Sequence, residues 1–582
     1  MITLSCNKLN MPAKDAYESE LIFGSLQRST MAVTGIYPIF KGTAMATYMT
    51  PDNDETTSSN TSGERYGLSK FDFSPANNQM KPVFDARYTG INRANECIEG
   101  LEKSGVLVNG DAGSISAFKA LYGEALALRA WAYFDLVRYW GDVPFPLTPS
   151  KAGQDFNLPR VSRDTIYDRI LSDLQIAQEL VPWASEVNYR DRLTKGAIKG
   201  LIARIALHAA GYSLRWDLQT GGNVGIRKRS DEVRITQLYT LARNACAEVI
   251  QQEGAQHALA DNYESVFKDS ENKVANKENI FELGNYGTDA NDGVGYYIGL
   301  SMGAVPGVYL AASPQVRVLP TYYYSFDEQD TRRDVAVGNY AVEANTANFN
   351  IVTINNFTCG KWRRCWQSTQ GPENGKTDIN WIVLRYADIL LMYAEAGNEL
   401  DAAPGSEAKD ALKKVRRRAF PAAAWPEKVE AYVDGLTTRE AFREAIMRER
   451  SWELGFESNL RRTDLVRWNR LAAAIADTRA RMNTLATGID PYSGRTIPRY
   501  RIYEKKSWVG NVPTAVPFTE SDNNTGLPAG YAAIDFMNPT NVTNMLNNFA
   551  KAFQENKTEL MPLHQSVIDG NTALKNAQLP GY

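Results

Sequence analysis

The sequence predicts a mainly α protein: helical hairpins forming a superhelical scaffold, with long irregular ligand-binding loops and minor β structure. Three observations lead there. Apolar residues recur at spacings of three and four through a series of segments, the pattern of helices with one buried face. The stretch Asn380–Glu399 is apolar almost all round, with Leu384, Ala387, Leu391 and Ala394 on one face and Ile389, Leu390, Met392 and Tyr393 on the others. A helix of that kind must lie between other helices. Finally, no long helical stripe appears between Gly254 and Trp381 or between Thr487 and Asn538. Long non-helical insertions on a rigid frame are where function usually sits.

The elements follow in order. Residues 1–15 are polar and read as a tether; residues 16–582 read as one domain, with an N-terminal helical part at 16–253 and a loop-rich part at 254–582. A helix is expected over Ala16–Phe40, then a loop over Thr50–Gly63, rich in Asp, Asn, Thr, Ser and Gly. Tyr88, Ile91 and Ala94 mark a helix over Asp85–Leu101. Leu121, Ala125, Leu128, Ala132 and Leu136 mark another over Ser116–Tyr139, closed by Gly141 and Pro144. Ser162 starts a third helix and Pro182 closes it. Thr194–Leu214 carries Ala197, Leu201, Ile205 and Ala209; Ile235–Gln252 follows, with the buried segment Val383–Leu400 as its partner. Ser406–Ala419 and Thr438–Gly455 form the last pair. Antiparallel pairs with small residues at their crossings resemble tetratricopeptide hairpins, although the strict repeat of about 34 residues is absent.

Composition narrows the function. The 64 basic and 67 acidic residues leave a net charge of −3, without the basic excess of a nucleic-acid binder. No window approaches the roughly 18 apolar residues of a membrane-spanning helix. Three histidines, His208, His257 and His564, lie in unrelated contexts, and no nucleophile-elbow, zincin or phosphate-loop motif occurs. His208 reads as a hydrogen-bonded core residue. No catalytic residue, metal or cofactor is assigned. Asp289, Asn291 and Asp292 loosely match a hard-cation loop but lack its spacing, which leaves a structural calcium as an alternative. Cys359 and Cys365 lie six apart, either a disulfide in an oxidising compartment or two buried thiols. The polar residues of the buried segment, Arg385, Asp388 and Glu395, need partners, and Arg385 and Asp388 are spaced to pair along a helix.

Four segments in order carry a family resemblance. They are Arg385-Tyr-Ala-Asp388 running into Tyr393-Ala-Glu-Ala396; Glu124 to Pro144; Arg448 to Glu457 with Arg462 to Trp468; and Leu560-Met-Pro-Leu563 with Leu579-Pro-Gly-Tyr582. Together they resemble the SusD/RagB family of outer-membrane nutrient-binding lipoproteins of Bacteroidetes-type bacteria. The resemblance implies a cell-surface, non-enzymatic protein that binds an oligosaccharide or polysaccharide and delivers it to a SusC-like TonB-dependent transporter. It also implies lipidation at Cys6, the cysteine of Ser5-Cys6, and anchoring in the outer membrane. An unmodified cysteine is the plain alternative. The helical polar residues Arg385, Asp388, Glu395, Arg461, Asp464, Arg467 and Trp468 are read as a structural network.

A sugar offers an apolar face and a rim of hydroxyls, which rings and polar side chains match. The chain has 29 tyrosines and 11 tryptophans. Seven of those tyrosines lie between Asn285 and Tyr324, interleaved with glycines. Tyr286, Tyr296, Tyr297, Tyr309 and Tyr322 are the ligand candidates there; packing of the loops onto the scaffold is the competing role for each. The loop after the first helix adds Asp54 and Tyr66, a correspondence of region with the family. Rings with few polar contacts predict affinities of about μM to mM. Peptide cargo of the RagB type, a helical glycoside hydrolase and an intracellular peptide scaffold are the alternatives.

Overall fold

The structure, a computed structural model, describes residues 19–42, 53–58, 62–189, 191–286, 293–368 and 376–582. Among the described residues helices take 48% and strands 11%, so the mainly α class holds. The scaffold helices are α1 (Lys81–Lys103), α2 (Ala112–Trp140), α3 (Arg163–Leu180), α4 (Lys195–Ala210), α5 (Glu232–Ile250), α6 (Tyr386–Leu400), α7 (Ser406–Ala419), α8 (Arg439–Leu454), α9 (Leu460–Arg467) and α10 (Leu471–Leu485). Each of α1 to α6 packs against the next, and α7 and α8 both clasp α6. Asp111 starts α2 by accepting from the N–H groups of Gly113 and Ser114. Gly141 ends it at φ 73°, where a side chain would meet the Arg163 guanidinium and Leu560. From Gly196 to Ala210 every residue of α4 is buried, including Lys199, which pairs with Glu248. The expected helix over Ala16–Phe40 is broken into Ser19–Phe23, Leu26–Thr34 and a 3₁₀ turn at Tyr37–Phe40.

Four strands position the loops: β1 (Thr56–Ser58), β2 (Asn279–Leu283), β3 (Val316–Val318) and β4 (Trp381–Arg385). β1 pairs with β3 and β2 with β4, both antiparallel. The β4 strand corrects the expectation of one helix from Asn380 to Glu399. A continuous apolar run is common to buried strands and buried helices, and β2 supplies the pairing edge here. Arg385 is extended, at φ −139° and ψ 165°, and α6 begins after it.

The expected Arg385–Asp388 pair does not form. Arg385 instead reaches Glu278 and Glu457, each at 2.7 Å, and Glu453. Around it lies a buried cluster of five cations, Arg332, Lys361, Arg385, Arg416 and Arg418, and five anions, Glu278, Asp330, Glu449, Glu453 and Glu457. Asp388 belongs to a second cluster, at 2.6 Å from both Arg204 and Arg450. Arg450 and Arg467 share Asp464, and Arg467 also pairs with Glu395. Both clusters balance in charge, which offsets the cost of desolvating each ion. His208 is buried beside the second, with Nδ1 at 2.9 Å from the Arg204 carbonyl; burial pushes its pKa down to about 3.

One hydrophobic core runs from Phe23 to Leu574. A smaller one, around Leu300, Tyr309, Tyr340, Phe349 and Tyr503, lies under the loop-rich part. Cys359 is buried in the first and Cys365 in the second, as free thiols. None of the described helices is long and apolar enough to cross a membrane. Cys6, Asp289, Asn291 and Asp292 lie outside the described residues.

Candidate functional site

The β1–β3 ribbon carries candidate residues at both ends. Thr56 lies opposite Val318 and Ser58 opposite Val316. Along β3 the valines are buried, while Gln315 and Arg317 between and beside them are partly exposed, the alternation of a strand with one wet face. Beyond Ser58 the chain turns through the short helix Glu64–Gly67, which carries Tyr66. The Tyr66 hydroxyl donates to Gln315 Oε1 at 2.7 Å, and the Gln315 N–H donates to the Tyr297 carbonyl at 2.7 Å. Tyr297 and Tyr296 meet edge to face with centroids 4.7 Å apart. Their turn depends on Gly293, at φ 70°, where a side chain would run into the Tyr297 ring at 2.4 Å. Three separate segments thus converge on one platform of rings and hydrogen-bonding groups.

Arg317 completes that platform. Its Nη1 donates to the Pro314 carbonyl at 3.1 Å, and among the described residues no carboxylate pairs with it. Burial lowers its pKa, with no anion opposing the shift. A half-buried guanidinium with spare donors is suited to paired hydroxyl or carbonyl acceptors. Neither Gln315 nor Arg317 stood out in the sequence. The only signal is the alternation Gln-Val-Arg-Val, which marks a strand face and no chemistry.

At the other end of the ribbon, Asp54 and Glu55 open onto a cavity of about 1060 Å³ between α8, α10 and the short helix Pro320–Tyr324. Asp54 accepts two hydrogen bonds from Arg461, at 2.8 and 2.7 Å. Arg461 therefore belongs to the cavity wall rather than to the clusters behind it. Glu55 Oε1 accepts from Ser451 at 2.6 Å, and burial pushes its carboxyl up to about 7, with Arg461 opposing and Asp54 adding to the shift. Tyr322 is buried in the same wall, its hydroxyl donating to the Ser451 carbonyl at 2.9 Å.

The remaining candidates lie elsewhere. Tyr309 is buried in the second core and donates to the Trp508 carbonyl at 2.9 Å. Tyr286 is exposed, with the Lys273 ammonium over its ring at 5.4 Å and Asp191 beside it. The structure thus brings Tyr66, Tyr296 and Tyr297 together, brings Asp54 and Tyr322 together at a second place, and leaves Tyr286 and Tyr309 in neither. Among the described residues no group of three or more His, Cys, Asp or Glu side chains is arranged to hold a metal.

Residues 251–582 match the model of the SusD family, and residues 15–207 match a model described as starch-binding associating with outer membrane. The chain is 28% identical over 438 residues to SusD-like protein P25 of Formosa agariphila, covering 70% of this chain and 73% of that one. A SusD homologue from Bacteroides thetaiotaomicron superposes with a TM-score of 0.76 at 22% identity, covering 97% and 98% of the two chains. A laminarin-binding SusD-like protein superposes with a TM-score of 0.61 at 19% identity, covering 96% and 99%.

Proposed function

The chain belongs to the SusD family, and on that footing we propose that it is a glycan-binding lipoprotein of the cell surface, which captures oligosaccharide and passes it to a SusC-like TonB-dependent transporter. The observation that carries the reading is the platform of Tyr66, Tyr296, Tyr297, Gln315 and Arg317. Rings cover the apolar face of a sugar, and the amide and guanidinium meet its hydroxyls. That a relative of the same fold binds laminarin supports a glucan as cargo. The family model named for outer-membrane association supports the location, and Cys6 is the residue on which an anchor would be built. Glycoside hydrolysis needs two carboxyl groups flanking the bond, whereas the platform offers hydroxyl, amide and guanidinium groups. Its role is therefore capture without chemistry.

The test is calorimetric titration of the chain with laminarin, xyloglucan oligosaccharides and a peptide panel. Arg317→Ala is expected to weaken glycan binding about tenfold or more, since a charge-assisted hydrogen bond contributes about 1.5–3 kcal/mol. Tyr297→Ala is expected to weaken it by up to about tenfold. Both changes lie at partly exposed positions and should leave the melting temperature near that of the wild type. Release of reducing ends from any glycan, or unchanged affinity in both variants, overturns the reading.

A further inference from the structure

The cavity at the far end of the β1–β3 ribbon is separate from the platform. Glu55 and Ser58 are three residues apart on an extended strand, about 10 Å, and the register of β1 against β3 holds that separation. The cavity is of ligand size; pockets for small molecules run to about 300–1000 Å³.

Its walls are ring-bearing and acidic on balance, with nine carboxyl groups against six cations in the lining. Trp452, Tyr324, Tyr432 and Tyr492 line it, and Tyr492 is 45% exposed. Several charged groups come already paired: Arg461 with Asp54, Arg481 with Asp477 at 2.7 Å, Lys428 with Asp327 at 3.0 Å, and Arg470 with Glu444 at 2.6 Å, while Arg448 is exposed and has no ion pair among the described residues. Arg481 also lies over the Tyr492 ring at 4.2 Å, holding it in place. An anionic ligand would meet that acidic excess and compete with the carboxylates for the wall's cations. A neutral ligand rich in hydroxyls stacks on the rings, hydrogen-bonds the outer edges of the pairs and leaves them intact.

We propose that this cavity is a second saccharide site, taking a neutral oligosaccharide independently of the platform. It rests on the glycan reading above for the class of cargo. With sites at both ends of one ribbon, a long glycan chain would be held at two points, so the protein would retain a polymer better than a short fragment.

The experiment titrates the full chain with laminarihexaose by calorimetry, beside a charged comparator, an oligogalacturonate. Wild type is compared with a platform variant, Tyr66→Ala/Tyr297→Ala/Arg317→Ala, and with two cavity changes. Ala473→Trp, at an exposed position of α10 in the cavity lining, puts an indole into the opening. Tyr492→Ala removes the exposed ring. Arg317→Ala alone repeats the platform arm if the triple change melts early. The expected result is two sites in wild type, one site surviving in the platform variant, loss of that site with Ala473→Trp, about tenfold weakening with Tyr492→Ala, and no binding of the comparator there. A platform variant that binds no hexasaccharide overturns the second site and leaves the glycan reading standing. Residual binding that ignores both cavity changes, or that takes the comparator equally well, also overturns it. Binding abolished by the cavity changes and untouched in the platform variant keeps this proposal and removes the platform from the function. No hexasaccharide bound by wild type sinks both.

Discussion

Replacing Arg385 by Met removes the hub of the buried five-against-five charge cluster. Arg385 reaches Glu278 at 2.7 Å, Glu457 at 2.7 Å and Glu453. Each carboxylate keeps at least one other cation: Glu278 keeps Arg418 at 2.8 Å, Glu453 keeps Arg332 at 3.0 Å and Arg418, and Glu457 keeps Lys361 at 2.6 Å. None is orphaned, so the cost lies at the lower end of the range for breaking a buried ion pair, about 3 kcal/mol. An unfolding entropy of about 2.1 cal/mol/K per residue turns that into a fall of roughly 2–3 °C in the melting temperature of a chain this long. Scanning calorimetry at pH 7 measures it. The pH dependence gives a second reading. Burial alone would raise the Glu453 pKa, but Arg418, Arg385 and Arg332 together hold it well below the usual carboxylate range. A lowered carboxylate contributes stability that is present above its unfolded pKa, about 4.5, and is lost as pH falls toward its folded value. The gap between wild type and Arg385→Met should therefore narrow steadily below about pH 4.5. A melting temperature within about 1 °C of wild type at pH 7, or a gap that widens in acid, refutes the account of the cluster.

Two further outcomes follow from single positions. Glu55 is a carboxyl raised by burial to about 7; its stabilising form is the protonated one, so its contribution is complete below about pH 4.5 and lost as pH rises through about 7. Glu55→Gln keeps the neutral form at every pH, so it should melt above wild type at pH 8 and alongside it at pH 4.5; a gap independent of pH would count against this. Gly141→Ala places a methyl group 2.7 Å from Arg163 Nη2 and 2.8 Å from Leu560 at φ 73°. It should cost about 1–3 kcal/mol, seen as a lowered midpoint in thermal unfolding, and an unchanged midpoint would show that the helix end tolerates the strain.

What could be read from the chain was whatever is local. Ser162 and Thr438 stand at helix starts and accept from the N–H groups of Asp164 and Ala441, as their positions before apolar stripes foretold. The α5–α6 partnership was legible because α6 is apolar on every face and α5 was a stripe without a mate. The strand at Trp381–Arg385 was not, because burial on both sides erases the period that separates strand from helix. The need of Arg385 for partners was visible in its own segment. Which partners it takes depends on Glu278, Glu453 and Glu457, brought to it only by the completed fold. Tyrosine density pointed to the loops, but a ring suited to a sugar is equally suited to a core. Tyr297 at the platform and Tyr309 in the second core share the same glycine-rich context. Gln315 and Arg317 acquire meaning only once β3 is paired and its wet face is known.

The charge cluster also sets an order of assembly. Glu449, Glu453 and Glu457 come late in the chain, after all five of the basic residues they neutralise. A nascent polypeptide that ends before Glu449 has only Glu278 and Asp330 to set against Arg332, Lys361, Arg385, Arg416 and Arg418. Such an intermediate cannot bury those five cations in balance, so the region around Arg385 closes only once residues 449–457 are in place.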